Sequence, residues 1–571
     1  MGICMFNMVD AKPTDNVINI TEPTNLELLA YRFRADFTAD LNVDSGWAAA
    51  ENQSAKLIFD QPFRLRIQVG SDQTPPEGVT LGLQYRIQDS PWLSIGVANF
   101  PYPSFATPIM SVIATDAYTQ GADTDRLLGK PDIDWEEGAG LNAVATTNVW
   151  KNKGDAREWE WPLVVRRFSD GPTFAKDNTA IELRVVDGKG KPINGRNTME
   201  FKINALPGHL GGTFIETPGR IGPYQTAQGD LYFFIEPSET DNRFMAIRST
   251  DFGRSWQEVD GEARPIADDL EGVSSVRVDN TIHIIHQVTH EVFYHAFELG
   301  SSNEKPGRWL TNSQSIAKPS NPPTQFTDIV ARSDGSLIAF YAGHERLQYQ
   351  IRSREGKWGL PHEIDVNLTP VLSGPVMVNG ENDTVTMAYT GQDGSGFIRH
   401  LTADNNLSPR ILLSSNLGIS DAENGAIAPL INIVESGSTQ VIYRESNGFL
   451  YERRFSTDGK LTQPVLISKL KVVTNAVDSE QVGADVVRQN SKTYLLFIEE
   501  SSRSIYYTHS NEYGVWSKPM VLIENINGSW VRGSVHKNSQ GNPVYGFVYD
   551  AGSTGGSGFN RYFALPLQSP Q

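Results

Sequence analysis

Four histidines, His283, His286, His290 and His295, lie within the short segment TIHIIHQVTHEVFYH. Side chains alternate between the two faces of a strand, so these four cannot all bind one metal ion without help from a turn. Histidine or tyrosine can remove a proton and arginine can stabilise the resulting enolate, which is the chemistry of β-elimination in a uronic-acid polymer. The residues predicted for these roles are His286, Tyr294, His344 and Arg346. The alternative is that the histidines only pack in the fold.

Carboxylates form a second candidate set. Glu236, Glu445 and Glu499 each follow an apolar segment that reads as a strand. Two carboxylates can hydrolyse a glycosidic bond, one as acid and the other as base or nucleophile. Glu236 and Glu445 are therefore predicted catalytic candidates, and the alternative is that they only cap strand ends or pair with arginines.

A third set has the chemistry to hold a sugar. Arginine pairs with carboxylates, and aromatic rings stack on sugar faces. The predicted substrate-binding residues are Arg220, Tyr224, Arg444, Arg532, Trp530, Tyr549 and Arg561. Tyr341 and Tyr443 are further aromatic candidates, and two or three of the five aromatic residues are expected to be exposed.

The segment RSTDFGRSW matches the Asp-box pattern Ser-x-Asp-x-Gly-x-(Thr or Ser)-Trp, from Ser249 to Trp256. It predicts a tight hairpin in which Asp251 accepts backbone N–H groups, Gly253 takes a positive φ and the tryptophan packs beneath the loop. Such a motif stabilises a turn and carries no catalysis.

Weaker copies of this turn recur along the chain. Their acidic positions are Asp251, Glu355, Asp404, Asp458 and Glu512, at steps of about 50 residues with one copy hidden near residues 294–309. The repeat predicts a seven-bladed β-propeller over residues 206–571, with a seventh blade that lacks one strand. Residues 211–217 are predicted to supply that strand and close the ring.

This region resembles the Asp-box (BNR-repeat) β-propellers of sialidases. Arg220 in GRIGPY corresponds to the arginine of their Arg-Ile-Pro motif, although Gly222 replaces the proline. The resemblance implies that Arg220 binds a carboxylate of the substrate. Seven-bladed ulvan-type polysaccharide lyases are also similar, in blade count and in the use of histidine, tyrosine and arginine.

Residues 28–205 alternate between apolar and polar positions in short segments. The segments begin at Tyr31, Phe63, Leu81, Glu158 and Ile181, and they predict an antiparallel β-sandwich. The strings YRFRADF, DSGWAAAEN, PFRLRIQV and TDRLLG resemble a β-sandwich module of bacterial and phage surface-type proteins, which implies spacing, docking or glycan binding. Residues 1–27 are assigned to an N-terminal extension.

Composition limits the function classes. A net charge of −18 argues against a nucleic-acid partner, and the single cysteine, Cys4, excludes an internal disulfide. No apolar stretch is long enough to span a membrane, and the first residues do not read as a signal peptide. No cofactor is predicted, and a structural calcium ion is left open. The expected location is extracellular or at a cell surface, with a virion as the alternative.

The sequence thus predicts an all-β chain, with a β-sandwich followed by a seven-bladed propeller. The expected function is a carbohydrate-active enzyme, hydrolase or lyase, that cleaves an acidic or complex polysaccharide at the channel mouth. The alternatives are a non-catalytic glycan-binding protein and a phage or cell-surface attachment protein. The expected partner is a polysaccharide or glycoconjugate.

Overall fold

The structure is a computed structural model. It describes residues 26–59, 61–71, 79–97, 110–129, 133–146, 155–165, 178–195, 198–204, 208–210, 219–235, 243–260, 264–265, 272–288, 291–318, 323–343, 346–368, 376–418, 430–433, 438–456, 459–473, 483–511, 513–526, 528, 530–550 and 560–567. Within these ranges the chain is all-β, and its one helical element is the short 3₁₀ turn Glu381–Asp383. No helix in them is long and apolar enough to cross a membrane.

The N-terminal part contains fourteen described strands. They are β1 Leu26–Arg34, β2 Ala55–Ile58, β3 Phe63–Ser71, β4 Leu81–Ile87, β5 Leu93–Ser94, β6 Gly96–Val97, β7 Met110–Val112, β8 Asp123–Thr124, β9 Asp134–Trp135, β10 Gly138–Gly140, β11 Asp155–Val165, β12 Thr179–Asp187, β13 Asn194–Gly195 and β14 Met199–Asn204. One nine-stranded sheet is built around β1, β3 and β11, and one five-stranded sheet has the order β2, β14, β12, β4, β5. All five segments that were predicted as strands from the alternation are strands.

The two sheets share one apolar core. Leu65 of β3 lies opposite Phe33 on one side and Trp161 on the other. These side chains form a single buried cluster with residues of the second sheet, such as Leu183 and Phe201. The alternation of side chains along a strand therefore directs every second residue of both sheets into the same core.

The opposite face of the nine-stranded sheet is also buried, and it is charged. Arg66 pairs with Glu158 at 2.5 Å, and Arg64 pairs with Glu160 at 3.0 Å, with all four side chains fully buried. The carbonyl oxygens of Ala39 and Leu41 accept further hydrogen bonds from Arg64 and Arg66. Such pairs are tolerated in an interior because both charges are neutralised and hydrogen-bonded.

From residue 219 onward the described chain forms seven successive antiparallel sheets, called repeat sheets one to seven. Sheet one contains β15 Tyr224–Gln225, β16 Leu231–Ile235, β17 Met245–Ser249 and β18 Gln257–Glu258. Sheet two contains β19 Gly272–Val278, β20 Thr281–Val288, β21 Glu291–Leu299 and β22 Gly307–Ala317. Sheet three contains β23 Pro323–Ala331, β24 Leu337–Gly343, β25 Arg346–Arg352 and β26 His362–Val366. Sheet four contains β27 Val376–Asn379, β28 Val385–Thr390, β29 Gly396–Leu401 and β30 Ile411–Ser414.

The last three sheets follow the same plan. Sheet five contains β31 Leu430–Ile433, β32 Thr439–Arg444, β33 Leu450–Phe455 and β34 Val465–Leu466. Sheet six contains β35 Ala484–Gln489, β36 Lys492–Ile498, β37 Ile505–His509 and β38 Met520–Ile523. Sheet seven contains β39 Val531–Lys537, β40 Pro543–Asp550 and β41 Asn560–Pro566. Each sheet thus corresponds to one repeat of about 50 residues, and the seventh has three described strands.

The burial of the second strands in the repeat sheets explains the runs of consecutive apolar residues in the sequence. Every residue of β16, β28 and β32 is buried. A strand that is covered on both faces needs apolar residues at consecutive positions, so alternation disappears there.

The first strands contact one another in series from sheet two to sheet seven. Sheet one joins sheet two through Gly219, whose N–H donates to the Val273 carbonyl oxygen at 2.7 Å, and β15 also contacts β39. The seven first strands therefore contact one another in a closed series.

The chain just before sheet one pairs with the outer edge of sheet seven. His209 forms a β-bridge with Arg561, and the Leu210 N–H donates to the Asn560 carbonyl oxygen at 2.9 Å. The Tyr562 N–H donates to the Gly208 carbonyl oxygen at 2.7 Å. Residues 211–217, predicted to make this contact, lie outside the described residues, but the residues immediately before them pair with β41.

The hairpin from Ser249 to Trp256 has the predicted contacts. Asp251 Oδ1 accepts the Ser255 N–H at 2.8 Å, and its Oδ2 accepts the Ser255 hydroxyl at 2.6 Å. Gly253 has a φ of 88°, and Trp256 is fully buried with its Nε1 donating to the Gly253 carbonyl oxygen. In four later sheets the corresponding turn is closed by an isolated bridge between residues six positions apart: Arg352 to Trp358, Leu401 to Leu407, Phe455 to Leu461 and Ser510 to Trp516.

Candidate functional site

The first strands, and the segment just before β15, carry a set of polar side chains that we call the charged collar. It consists of Arg220, Ser274, Asp328, Asp485 and Arg532. Burial of charge at this position requires partners, because an isolated ion in a protein interior is strongly destabilised.

Asp328, which lies within β23, is the most connected member. Its Oδ1 accepts hydrogen bonds from Arg220 Nη2 at 2.5 Å, Ser274 Oγ at 2.7 Å and its neighbour's N–H, that of Ile329, at 2.8 Å. Its Oδ2 accepts the Met377 N–H of sheet four at 2.7 Å. Arg220 also donates through Nη1 to the Met377 carbonyl oxygen at 2.6 Å. One carboxylate thus connects sheets one, two, three and four.

Asp485 occupies the matching position in sheet six. Its Oδ2 accepts the Gly533 N–H of sheet seven at 2.8 Å and the Tyr545 hydroxyl at 2.6 Å. Arg532 Nη1 lies 4.0 Å from Asp485 Oδ1 and donates to the Ala484 carbonyl oxygen at 2.5 Å. Burial raises the pKa of Asp485 to about 6, against the opposing effect of Arg532 and the hydrogen bonds.

The collar brings together two of the predicted arginines, Arg220 and Arg532, but it pairs both with aspartates of the chain. An arginine whose charge is already matched has less free energy to gain from a substrate carboxylate. Arg220 keeps 41% of its side chain exposed, so its guanidinium still faces open space.

The carboxyl-terminal ends of the first strands of sheets one, two, six and seven contribute to the lining of a pocket of about 800 Å³, which we call the mouth pocket. Its lining includes Tyr224 and Gln225 of sheet one, Arg277 of sheet two, Gln489 of sheet six and Lys537 of sheet seven. Most of the lining residues belong to sheets one and seven, so the pocket lies chiefly between these two sheets.

Hydrogen bonds fix one wall of the mouth pocket. Gln225 Nε2 donates to the Lys537 carbonyl oxygen at 2.7 Å, and the Lys537 N–H donates to Gln225 Oε1 at 2.8 Å. Arg277 donates to the Gln225 and Asp279 carbonyl oxygens. The Tyr224 hydroxyl lies 2.8 Å from Ser275 Oγ, and burial raises the pKa of Tyr224 to about 12.

Two other side chains that line the pocket take no part in these hydrogen bonds. Phe252, in the hairpin before Gly253, is half-buried with a left-handed φ of 60°. The Gln489 side chain is half-buried and makes no hydrogen bond to any described residue. An aromatic ring and an unused amide are thus available to a ligand.

The predicted elimination set does not come together among the described residues. His286 is buried in sheet two, where its ring lies 6.4 Å from Phe244 and 5.8 Å from His295. The Tyr294 hydroxyl is 2.6 Å from His283 Nδ1, and burial raises the pKa of Tyr294 to about 12. Arg346 is exposed and bonds to Glu363 at 2.7 Å, whereas His344 lies outside the described residues.

The remaining predicted residues are dispersed. Glu445 accepts Ser414 Oγ at 2.8 Å, Arg444 is buried against the Val472 carbonyl oxygen, and Glu236 lies outside the described residues. Trp530 is fully buried in an apolar cluster, Tyr549 packs 5.9 Å from Phe547, and Arg561 lies in β41. Tyr341 and Tyr443 are also buried, so the expectation that two or three of the five aromatic candidates are exposed is wrong: only Tyr224 is half-buried.

Sequence reasoning missed Asp328 and Asp485. The signal was present, since the similar segments TDIVAR and ADVVRQ both carry an aspartate in the first strand of a repeat. It also missed Phe252 and Gln489, for which no pattern pointed to a pocket. No group of three or more metal-ligating side chains is found in the described part of the chain.

No protein-family model matches the sequence, and no curated protein is significantly similar to it. Several solved structures do match. The BP39L lectin from Burkholderia pseudomallei is 12% identical, with 62% of this chain and 99% of the lectin covered and a TM-score of 0.44. The NanB sialidase from Streptococcus pneumoniae is 10% identical, with 96% and 93% covered and a TM-score of 0.37. The fucose-specific lectin from Aleuria aurantia is 9% identical, with 52% and 96% covered and a TM-score of 0.31. All three TM-scores are below 0.5, so these likenesses assign no activity to the chain.

Proposed function

We propose that the repeat sheets form a seven-bladed β-propeller and that the two N-terminal sheets form a β-sandwich. Contacts between successive first strands, and the pairing of His209 with Arg561, support a closed ring. The shared core of the two N-terminal sheets supports the sandwich. An extracellular, cell-surface or virion location remains our proposal from the sequence.

We propose that this protein binds carbohydrate at the mouth pocket. The observation that carries the proposal is a concave, polar pocket between sheets one and seven that contains the half-buried ring of Phe252 and the amide of Gln489, which makes no hydrogen bond to a described residue. Binding sites commonly combine such a shape with a few convergent polar groups. A sugar offers an apolar C–H face to Phe252 and hydroxyl groups to Gln489, Asn538 and Lys537.

The experiment is a panel of neutral and acidic oligosaccharides, with affinity measured by calorimetry. Phe252→Ala and Gln489→Ala should each weaken binding about five- to tenfold, which corresponds to roughly 1 kcal/mol or slightly more. Tyr513→Ala is the matched control, because Tyr513 is a largely exposed aromatic residue outside the pocket. Unchanged affinity in both pocket variants would contradict the proposed site.

A glycoside hydrolase is the second candidate. It is supported by the two collar aspartates: Asp328 is ion-paired with Arg220, whereas burial raises the pKa of Asp485 to about 6. Two carboxyl groups in unlike environments suit the acid and base of hydrolysis. Against it stands the internal use of both carboxylates as acceptors for the next first strand.

The hydrolase candidate is tested by incubation with uronate, sialylated, sulfated and neutral polysaccharides, followed for new reducing ends. Activity that Asp485→Asn abolishes while the protein stays folded would support it. Unsaturated products would instead indicate a lyase, for which the predicted residues His286, Tyr294 and Arg346 do not come together. Absence of any product would leave binding as the function.

A further inference from the structure

A second pocket lies between sheets five and six. Its volume is about 660 Å³. We call it the outer pocket, and it is lined by Leu466, Ile467, Ser468, Lys469, Leu470, Tyr506, Trp516, Ser517, Lys518 and Pro519. It shares no residue with the mouth pocket or with the charged collar.

Two aromatic rings in this pocket are held in place from behind. Trp516 Nε1 donates to Glu452 Oε2 at 2.6 Å, and Glu452 is itself buried and bonded to Arg454 at 2.8 Å. The Tyr506 ring stacks on the buried Phe497 ring with centroids 5.7 Å apart and an interplanar angle of 14°. Rings fixed in this way lose little conformational entropy when a ligand binds.

The polar groups of these rings are not all used. Tyr506 is half-buried, and its hydroxyl makes no hydrogen bond to any described residue. The pocket therefore offers two partly exposed ring faces and one free hydroxyl, the combination that suits a sugar ring.

The charge of the pocket differs from that of the molecule. Lys469 and Lys518 are exposed and form no ion pair with a described residue, although the chain carries a net charge of −18. The carboxylate of Glu452, which accepts a hydrogen bond from Trp516, is already neutralised by Arg454. Two unpaired lysines over a neutral floor attract a negatively charged group.

We propose that the outer pocket binds one residue of an acidic oligosaccharide, with the sugar ring on Trp516 and Tyr506 and its anionic group between Lys469 and Lys518. The proposal rests on the proposed function in one respect only, namely that the ligand is a carbohydrate. It gives the protein a second site, which selects for acidic sugars.

The test uses calorimetry of the full chain with a hexasaccharide of uronic acid and with its carboxyl-reduced, neutral form. The variant Lys469→Ser/Lys518→Ser removes both charges from exposed positions. Its matched control, Lys305→Ser/Lys357→Ser, removes two exposed lysines from other repeat sheets. Tyr506→Ser removes one ring face, with thermal unfolding as the check on folding.

The acidic hexasaccharide should bind the wild type at a site that the Lys469/Lys518 variant weakens about tenfold and the control does not. Phe252→Ala should leave this site unchanged, which separates it from the mouth pocket. Tyr506→Ser should weaken both sugar forms at this site. An equal loss in the lysine control, equal binding of the neutral form, or no loss in the Lys469/Lys518 variant would overturn the proposal.

Discussion

Replacement of Asp328 by asparagine should destabilise the ring of repeat sheets. The carboxylate accepts four donors: Arg220, Ser274, and the backbone N–H groups of Ile329 and Met377. An asparagine amide has one acceptor oxygen and one NH2 group. If its oxygen takes the Oδ1 position, the NH2 group faces the Met377 N–H, and the reverse orientation leaves three donors facing it.

The expected loss follows from these contacts. The better orientation forfeits one hydrogen bond to a charged acceptor, leaves a buried N–H without a partner and removes the counterion of Arg220. Breaking a fully buried ion pair costs roughly 3–5 kcal/mol, and the exposure of Arg220 reduces this, so we expect a loss of about 3 kcal/mol in the free energy of unfolding.

The assay is urea unfolding of the full chain, followed by tryptophan fluorescence. Asp334→Asn is the control, since Asp334 is an exposed aspartate of the same sheet that accepts one turn N–H at 2.8 Å. A double-mutant cycle with Arg220→Met measures the pairwise coupling. A loss below about 1 kcal/mol in Asp328→Asn, similar to that of the control, would refute the role of Asp328 as a connection between sheets.

Three further outcomes are expected. Burial lowers the pKa of His283 and of His536 to about 4, below the unfolded value of 6.5. As the pH drops, the unfolded chain therefore takes up protons before the folded chain does, and the free energy of unfolding falls. The loss between pH 7 and pH 5 should be about 2 kcal/mol for each histidine, and His536→Gln should remove its share, as shown by urea titrations at both pH values. Asp251→Ala should lower the unfolding free energy by about 1–2 kcal/mol, because Ser255 loses its acceptor, and thermal unfolding would detect this. Gly253→Ala should cost more than about 2 kcal/mol in the same assay, since its φ is 88° and the new Cβ would lie 2.1 Å from a Tyr562 ring carbon.

Much of the fold could be predicted from the sequence. Segments such as LYFFI and VTMAYT are second strands. The turn after Ser249 is the first of a series of turns, and later repeat sheets have a turn at the corresponding place. These features depend on local physics, namely turn chemistry and the period of burial, which a single sequence contains.

The site was harder to predict because its geometry is not local. His286 and Tyr294 looked available for catalysis since strands usually expose one face, but these strands are covered on both faces. Asp328 accepts hydrogen bonds from residues 49, 54 and 108 positions away. No sequence motif predicts such contacts between separate repeats. The same holds for the pockets, whose walls come from different sheets.

The pairing of Gly208, His209 and Leu210 with the last strand also has a mechanical consequence. Tension applied through the N-terminal sheets enters the repeat sheets at these residues. Their hydrogen bonds go to Asn560 and Tyr562 of sheet seven and, from the Gly208 N–H, to the Arg254 carbonyl oxygen of sheet one. Sheets one and seven therefore share the load, and neither is pulled away alone. A protein anchored by its N-terminal part while its ring holds a ligand would resist extension at this junction.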